Sequence, residues 1–368
     1  MNAMTRRIAV GTVAVSIALT MAACGKAGDN KSSGSSDSSS SSAGGKSIGL
    51  LLPENATTRY EKFDRPLITA KIKELCADCS VQYDNAGADP QKQAQQVNTM
   101  ITKGVKVLIV DPQDSVGIKS SIEAAVAKGI KVVAYDRLAE GPISAYVSYD
   151  NEKIGELQGQ ALLDAMGPNA TPKSNIVMID GDPADPNAAM FKAGAHKILD
   201  NKVKIAYEQS GLWKDTVANQ KVTAAITQLG AKNIKGVYSA NDGMAGGIAT
   251  ALKGAGINPP LTGQDAELAG IQRILAGTQA ATIYKPYAPE AEATAEIAVD
   301  LLQGKDFSSI TETKATSASG QTVPAHLIGA TAVTKANIKD TVIKDGLYTI
   351  PQICTAEFAA ACKTAGIQ

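Results

Sequence analysis

Short, nearly unbroken apolar runs alternate along this chain with longer stretches whose apolar residues recur every three or four positions. Residues 48–52, 105–110 and 130–135 are runs of the first kind, the pattern of strands covered on both faces. Between them Phe63, Leu67, Ile68, Ile72 and Leu75 repeat at helical spacing, as do Ala94, Val97, Met100 and Ile101. Residues 80–83 predict a further strand and 116–127 a further helix, while Asp89-Pro90 reads as a helix start and Gly104 as its stop. The order is β-α-β-α-β-α-β, which predicts a parallel sheet with helices on both sides. After Tyr149-Asp150-Asn151 the rhythm restarts. Helices are expected at 154–166, 188–199, 218–229, 243–254 and 290–302, interleaved with strands at 175–180, 203–207, 236–239, 261–263 and 282–284. The fold class is therefore α/β, two Rossmann-like halves.

The N-terminus breaks this pattern. Arg6 and Arg7 precede an apolar run over 8–19, too short for a membrane span and suited to a signal-peptide core. The run ends in Met21-Ala22-Ala23-Cys24, which resembles the lipobox of bacterial lipoproteins, with Met21 where Leu is commonest. Residues 1–23 are expected to be removed, leaving Cys24 lipidated; an ordinary secretory signal beside an incidental cysteine is the alternative. Residues 24–45 follow, almost wholly Ser and Gly from 32 onward. Such a segment has no apolar surface to bury and predicts a disordered tether.

Charge and cysteines narrow the function. With 36 basic and 36 acidic residues the net charge is zero, and no basic stripe points to nucleic acid. Four cysteines remain besides Cys24: Cys76, Cys79, Cys354 and Cys362. In an exported chain an even number favours disulfides. Local pairing, Cys76 with Cys79 and Cys354 with Cys362, is preferred among three connectivities. Cys76-Ala-Asp-Cys79 also fits a redox pair or half a zinc site, but it falls at a helix end, where a thiolate is not stabilised.

In open parallel sheets, ligands bind beyond the carboxyl ends of the strands. Polar residues crowd there: Arg59 and Tyr60 after the first strand, Asp111 to Asp114 after the third, Asp136 and Arg137 after the fourth. The second half carries residues 182–187, Trp213, Asn241-Asp242, Gln264-Asp265 and Tyr284-Lys285 in equivalent places. Carboxylates and amide oxygens accept from sugar hydroxyls; Arg, Lys and amide nitrogens donate to them. Trp213 and Tyr60 offer rings for the apolar face of a pyranose. Each residue also has a plainer use. Asp136 and Arg137 could form a local ion pair, Asn187 and Asn241 could cap helices, Asp265 could cap a helix starting near Glu267, and Trp213 could be core. No catalytic or metal motif stands out. His196 on a helix and His326 before a strand belong to no ligand or triad pattern, no phosphate-binding glycine loop follows the first strand, and the glycines of 243–247 suit close helix packing.

Four segments, 131–138 (KVVAYDRL), 150–158 (DNEKIGELQ), 263–267 (GQDAE) and 340–346 (DTVIKDG), resemble the type I periplasmic sugar-binding proteins, in the branch that binds D-xylose and multiple monosaccharides. The likeness runs over about residues 46 to 350. It implies two lobes joined by three hinge strands: 46–150 with 287–328, and 151–286 with 329–368. It implies a ligand set of Arg59, Tyr60 (tryptophan in xylose binders), Asp136, Arg137, Asn187, Trp213, Asn241, Asp265 and Lys285. Pro186 replaces a usual Asn, and residues 210–217 depart from the family's pattern around Trp213. The implied function is an extracytoplasmic, lipid-anchored, monomeric receptor that closes on a monosaccharide, D-xylose first. It would deliver that sugar to a membrane permease and its ATPase, with no cofactor and no chemistry of its own. A sensory receptor using the same site is the alternative. A repressor of related fold would need a DNA-binding segment where the signal peptide stands, and a secreted carbohydrate-active enzyme would need paired carboxylates.

Overall fold

The computed structural model describes residues 45–367; the expected signal peptide, Cys24 and nearly all of the expected tether lie outside the described residues. The first half alternates β1 (Ser47–Leu52), α1 (Arg65–Leu75), β2 (Ser80–Asn85), α2 (Pro90–Lys103), β3 (Val107–Val110), α3 (Lys119–Ala127), β4 (Lys131–Tyr135) and β5 (Ala145–Tyr149). Local chemistry sets the ends. Asp89 caps α2 by accepting from the backbone N–H groups of Gln91 and Lys92, Pro90 opens it, and Gly104 closes it at φ 73°. β1, β3 and β5 are buried along their whole length.

The second half continues with α4 (Asn151–Met166), β6 (Asn175–Asp180), α5 (Pro186–Leu199), β7 (Lys204–Ser210), α6 (Asp215–Leu229), β8 (Ile234–Ser239), α7 (Asp242–Gly254), α8 (Leu268–Ala276) and β9 (Ala281–Tyr284). Then come α9 (Tyr287–Gln303), β10 (Thr313–Thr316), β11 (Thr322–Ile328), β12 (Thr331–Thr334), α10 (Ile350–Ile353) and α11 (Ala359–Thr364).

These strands form one seven-stranded sheet and a second, discontinuous sheet made of two pieces. The first runs β10-β11-β5-β4-β3-β1-β2, parallel except for β10. One face packs Ile68, Ile72, Ile297 and Val299 of α1 and α9; the other packs Val97, Met100, Ile122 and Ala125 of α2 and α3. The second holds β7-β6-β8 in parallel and pairs β9 with β12 antiparallel. Residues 261–263, expected as a strand, join these pieces only through single bridges, Val237 to Leu261 and Thr262 to Ala281. Pro259 and Pro260 precede them and lack the N–H groups that would extend the ladder.

Helices α4 and α5 approach backbone to backbone. A Cβ at Gly155 would lie 2.0 Å from the Phe191 carbonyl oxygen, and one at Gly194 would lie 1.9 Å from that of Glu152. Gly155→Ala is therefore expected to destabilise the fold by about 1–3 kcal/mol through overpacking. An unchanged thermal midpoint would mean the two helices separate freely.

The chain passes between the sheets' elements at 150/151, 286/287 and 328–331, and these crossings lie together. Tyr149 Oη donates to the Pro286 carbonyl (3.0 Å), and the Asp150 N–H donates to that of Ile328 (3.2 Å).

Several expectations change. Strand β5 occupies residues before Asn151 that carry no clear strand pattern, and β10–β12 add strands beyond those the apolar pattern predicts. His326 lies inside β11 instead of before a strand. The cysteines keep the preferred local pairing, Cys76 with Cys79 where α1 ends and Cys354 with Cys362 between the last two helices.

Candidate functional site

Loops at the carboxyl ends of both sheets meet around one narrow cavity with about 20 Å³ of free space. All nine residues expected to bind ligand line it: Arg59, Tyr60, Asp136 and Arg137 from one sheet's loops, Asn187, Trp213, Asn241 and Asp265 from the other's, and Lys285 beside a crossing. Thr57, Asp185, Phe191 and Gln264 complete the wall. A larger hollow, about 670 Å³, lies outside α7 and α8. Its only charged residues are Lys253 and Arg273, so it lacks the facing donors and acceptors of the cleft.

The cleft loops hold unusual backbone. Seven described non-glycine residues have positive φ, and five of them sit here: Asp136 (56°), Leu212 (55°), Trp213 (57°), Asp265 (90°) and Ala266 (47°). Each costs about 1–3 kcal/mol and persists only where the surroundings enforce it. The strain aims the Asp136, Trp213 and Asp265 side chains into the cavity.

Arg59, only 1% exposed, organises the first wall. Its Nε donates to Asp64 (2.8 Å), Nη1 to Asp136 Oδ1 (3.1 Å), and Nη2 to Tyr135 Oη (3.2 Å) and Glu290. The Tyr287 ring lies 4.7 Å from its guanidinium carbon. Every nitrogen is thus engaged by protein, and the residue's first task is to position Asp136. Burial alone would push the Asp136 carboxyl up, but Arg59, Lys285 and Arg137 together hold it below its ordinary value. Tyr60 Oη donates to Asp136 Oδ2 (3.3 Å) and accepts from Arg137 Nη2 (3.1 Å).

Asp136 and Arg137 are not a local ion pair. Arg137 instead points across the cleft, its Nε 3.0 Å from Asp185 Oδ2 and 3.6 Å from Asp111 Oδ1. Asp185, which precedes α5, caps that helix through the Asn187 N–H (2.8 Å) and accepts from Trp213 Nε1 (3.2 Å). Asn187 is therefore no cap. Its amide bridges the two sheets' loops, donating to the Asp136 carbonyl (3.0 Å) and accepting from Asn151 (3.0 Å).

Asn241 does cap α7 through the Met244 N–H (2.9 Å) while lining the cavity. Both readings of it hold. Asp265 caps nothing; Glu267 occupies the N-cap position of α8 without a side-chain bond, and Asp265 Oδ1 meets Lys285 Nζ at 2.8 Å. Trp213 packs edge-to-face on Phe191 with ring centroids 6.4 Å apart. Its ring fills the space where a Cβ on Gly181 would stand, only 2.0 Å away. Gly181→Ala is accordingly expected to displace Trp213, shift the emission of this sole tryptophan and weaken ligand binding severalfold. Wild-type emission and affinity in that variant would show that the ring has another place to go.

Of these four further lining residues, Thr57, Asp185 and Gln264 lie in the loops that follow strands, where polar residues are expected to meet ligand. Phe191 carries no local signal, because it reads as an ordinary apolar helix position.

Residues 48–306 match the family model of the periplasmic binding protein domain. The D-xylose-binding periplasmic protein of Escherichia coli is 38% identical over 312 residues, covering 82% of this chain and 90% of that protein. The chain belongs to the periplasmic sugar-binding protein family. Another member, the multiple sugar-binding periplasmic receptor ChvE of Rhizobium radiobacter, is 30% identical over 83% of this chain and 92% of its own. Among solved structures, an ABC transporter solute-binding protein from Clostridium phytofermentans with bound β-D-glucose superposes with a TM-score of 0.77. It is 26% identical, over 84% of this chain and all of that one. The two-lobed α/β architecture is that of the type I periplasmic binding proteins. Membership makes this a transport-associated binding protein and not an enzyme, and it implies work outside the cytoplasm. Among the described residues, no helix is long and apolar enough to cross a membrane.

Proposed function

We propose that this chain is the substrate-binding lipoprotein of an ABC-type importer and that it takes a neutral monosaccharide, D-xylose first, into the cleft. The supporting observation is the charge balance of the cavity wall. Arg59, Arg137 and Lys285 face Asp136, Asp185 and Asp265, so no net charge awaits an anionic or cationic ligand. What the wall offers is paired donors and acceptors, the complement of hydroxyl groups. The naming of xylose and multiple-sugar binders among the relatives favours the same class. Tyr60 in place of a tryptophan leaves glucose, arabinose and galactose as the nearest competitors.

In this reading the lobes are 46–150 with 287–328 and 151–286 with 329–368, and they close like a hinge about the three crossings. Ligand favours the closed form because it bridges residues from both. A sugar of about ten heavy atoms, at roughly 0.8 kcal/mol each, gives a dissociation constant near micromolar. The chain works as a monomer, held to the membrane through Cys24, and hands its cargo to a permease and ATPase. Presentation of the sugar to a membrane sensor is the second reading, favoured by the relative that is itself described as a receptor.

Calorimetric titration with xylose, glucose, arabinose, galactose and ribose is the test. Micromolar binding of one or a few is expected. Binding of none, or of charged sugar acids in preference, would sink the proposal.

A further inference from the structure

One buried carboxylate next to the cleft has no partner of its own. Asp111 follows β3, is wholly inaccessible, and neither of its carboxylate oxygens accepts a hydrogen bond among the described residues. Burial pushes this carboxyl well above the usual carboxylate range, and Arg137 only partly opposes the push. Such a group is costly where it stands, and native interiors contain few of them.

The cation that opposes this push most is already engaged elsewhere. Arg137 Nε lies 3.0 Å from Asp185 and 3.6 Å from Asp111. Asp111 and Arg137 belong to loops of the first sheet, so opening the cleft leaves them together. Asp185 belongs to the second sheet's helix α5 and departs with it. The hydrogen bonds of Arg137, Nη1 to the Pro112 carbonyl (3.2 Å) and Nη2 to Tyr60 (3.1 Å), lie within the first sheet's loops and hold the guanidinium within reach of both acids.

We infer that Asp111 and Asp185 compete for Arg137, so that closing the cleft pulls the guanidinium from one carboxylate to the other. Asp111 is then a positioning residue that opposes closure, because the closed form strands it, and Asp185 is the latch that favours closure. The balance between them sets how far the empty receptor closes unaided and hence its affinity. This inference rests on the hinge closure proposed above, though not on which sugar binds.

The test compares the full chain with its Asp111→Asn and Asp185→Asn variants, by small-angle scattering without sugar and by titration with D-xylose. Asp111→Asn is expected to make the empty protein more compact, move Trp213 emission toward that of the sugar-saturated wild type, and tighten D-xylose binding about fivefold. Asp185→Asn is expected to expand the empty protein and weaken binding; scattering reads closure there, since Trp213 itself bonds to Asp185. Asp111→Ala gives the same readout should the asparagine variant fold poorly. Weaker binding or expansion in the Asp111 variants, or values equal to wild type, would overturn the inference. If wild type bound no D-xylose, only the choice of sugar would fall, and the scattering of the empty proteins would still decide the competition.

Discussion

Sugar affinity is expected to fall about a hundredfold in Arg137→Ala, the largest binding defect of any single substitution in the cleft. Three consequences add. The cavity loses a charged donor, Asp185 loses its partner across the cleft, and Asp111 loses the guanidinium 3.6 Å from it. Breaking one charged, desolvated hydrogen bond costs about 1.5–3 kcal/mol, and about 2.7 kcal/mol is a hundredfold in affinity. Asp265→Ala, which leaves Lys285 unpaired at 5% side-chain exposure, is expected to cost more than about tenfold for the same reason. Calorimetry on both variants checks the pair. Affinities within a factor of about two of wild type would mean that ligand does not occupy this cavity.

Arg59→Ala is expected to strike the fold as well as the ligand. Arg59 is the counter-ion of Asp64, Asp136 and Glu290, whose side chains are 0%, 5% and 0% exposed. Removing one partner from a buried ionic cluster costs about 3–5 kcal/mol. At a few degrees per kcal/mol for a chain of this size, the thermal midpoint should drop by about 10 °C. Arg59→Lys should fall between, because a single ammonium cannot bond in three directions at once. Differential scanning calorimetry of the sugar-free proteins measures this directly. A midpoint within about 2 °C of wild type would show that the three acids find other partners or protonate without harm.

The sequence carried the strand ends plainly, and with them most of the cleft. Asp136, Arg137, Asn241 and Asp265 each follow an apolar run that ends at a polar residue, and a parallel sheet puts such places on one edge. What it concealed was pairing. Adjacent letters suggested an Asp136–Arg137 couple, yet Asp136 bonds to Arg59 and Arg137 reaches Asp185, 77 and 48 positions away in the chain. Only the meeting of two sheets makes those neighbours, and no local pattern encodes it. Strand β5 was hidden for a related reason. Ala145–Tyr149 is short and holds Ser148, whose hydroxyl serves the Asp136 carbonyl (2.6 Å) instead of signalling a loop. Asp185 was obscured by its companion: Asp before Pro marks a helix start, which it is, and that use gave no hint of the indole and guanidinium sharing its other oxygen.

Left-handed backbone at Asp136, Trp213 and Asp265 has a bearing on how such a receptor changes its diet. Branched or bulky replacements at those three points would fight the main chain before they ever met a sugar, so few mutations there survive. Tyr60 and Phe191 have no such backbone constraint, so other rings can stand there with less strain. Drift in sugar preference among descendants of this chain should therefore accumulate on the aromatic walls, while the acidic anchors stay frozen.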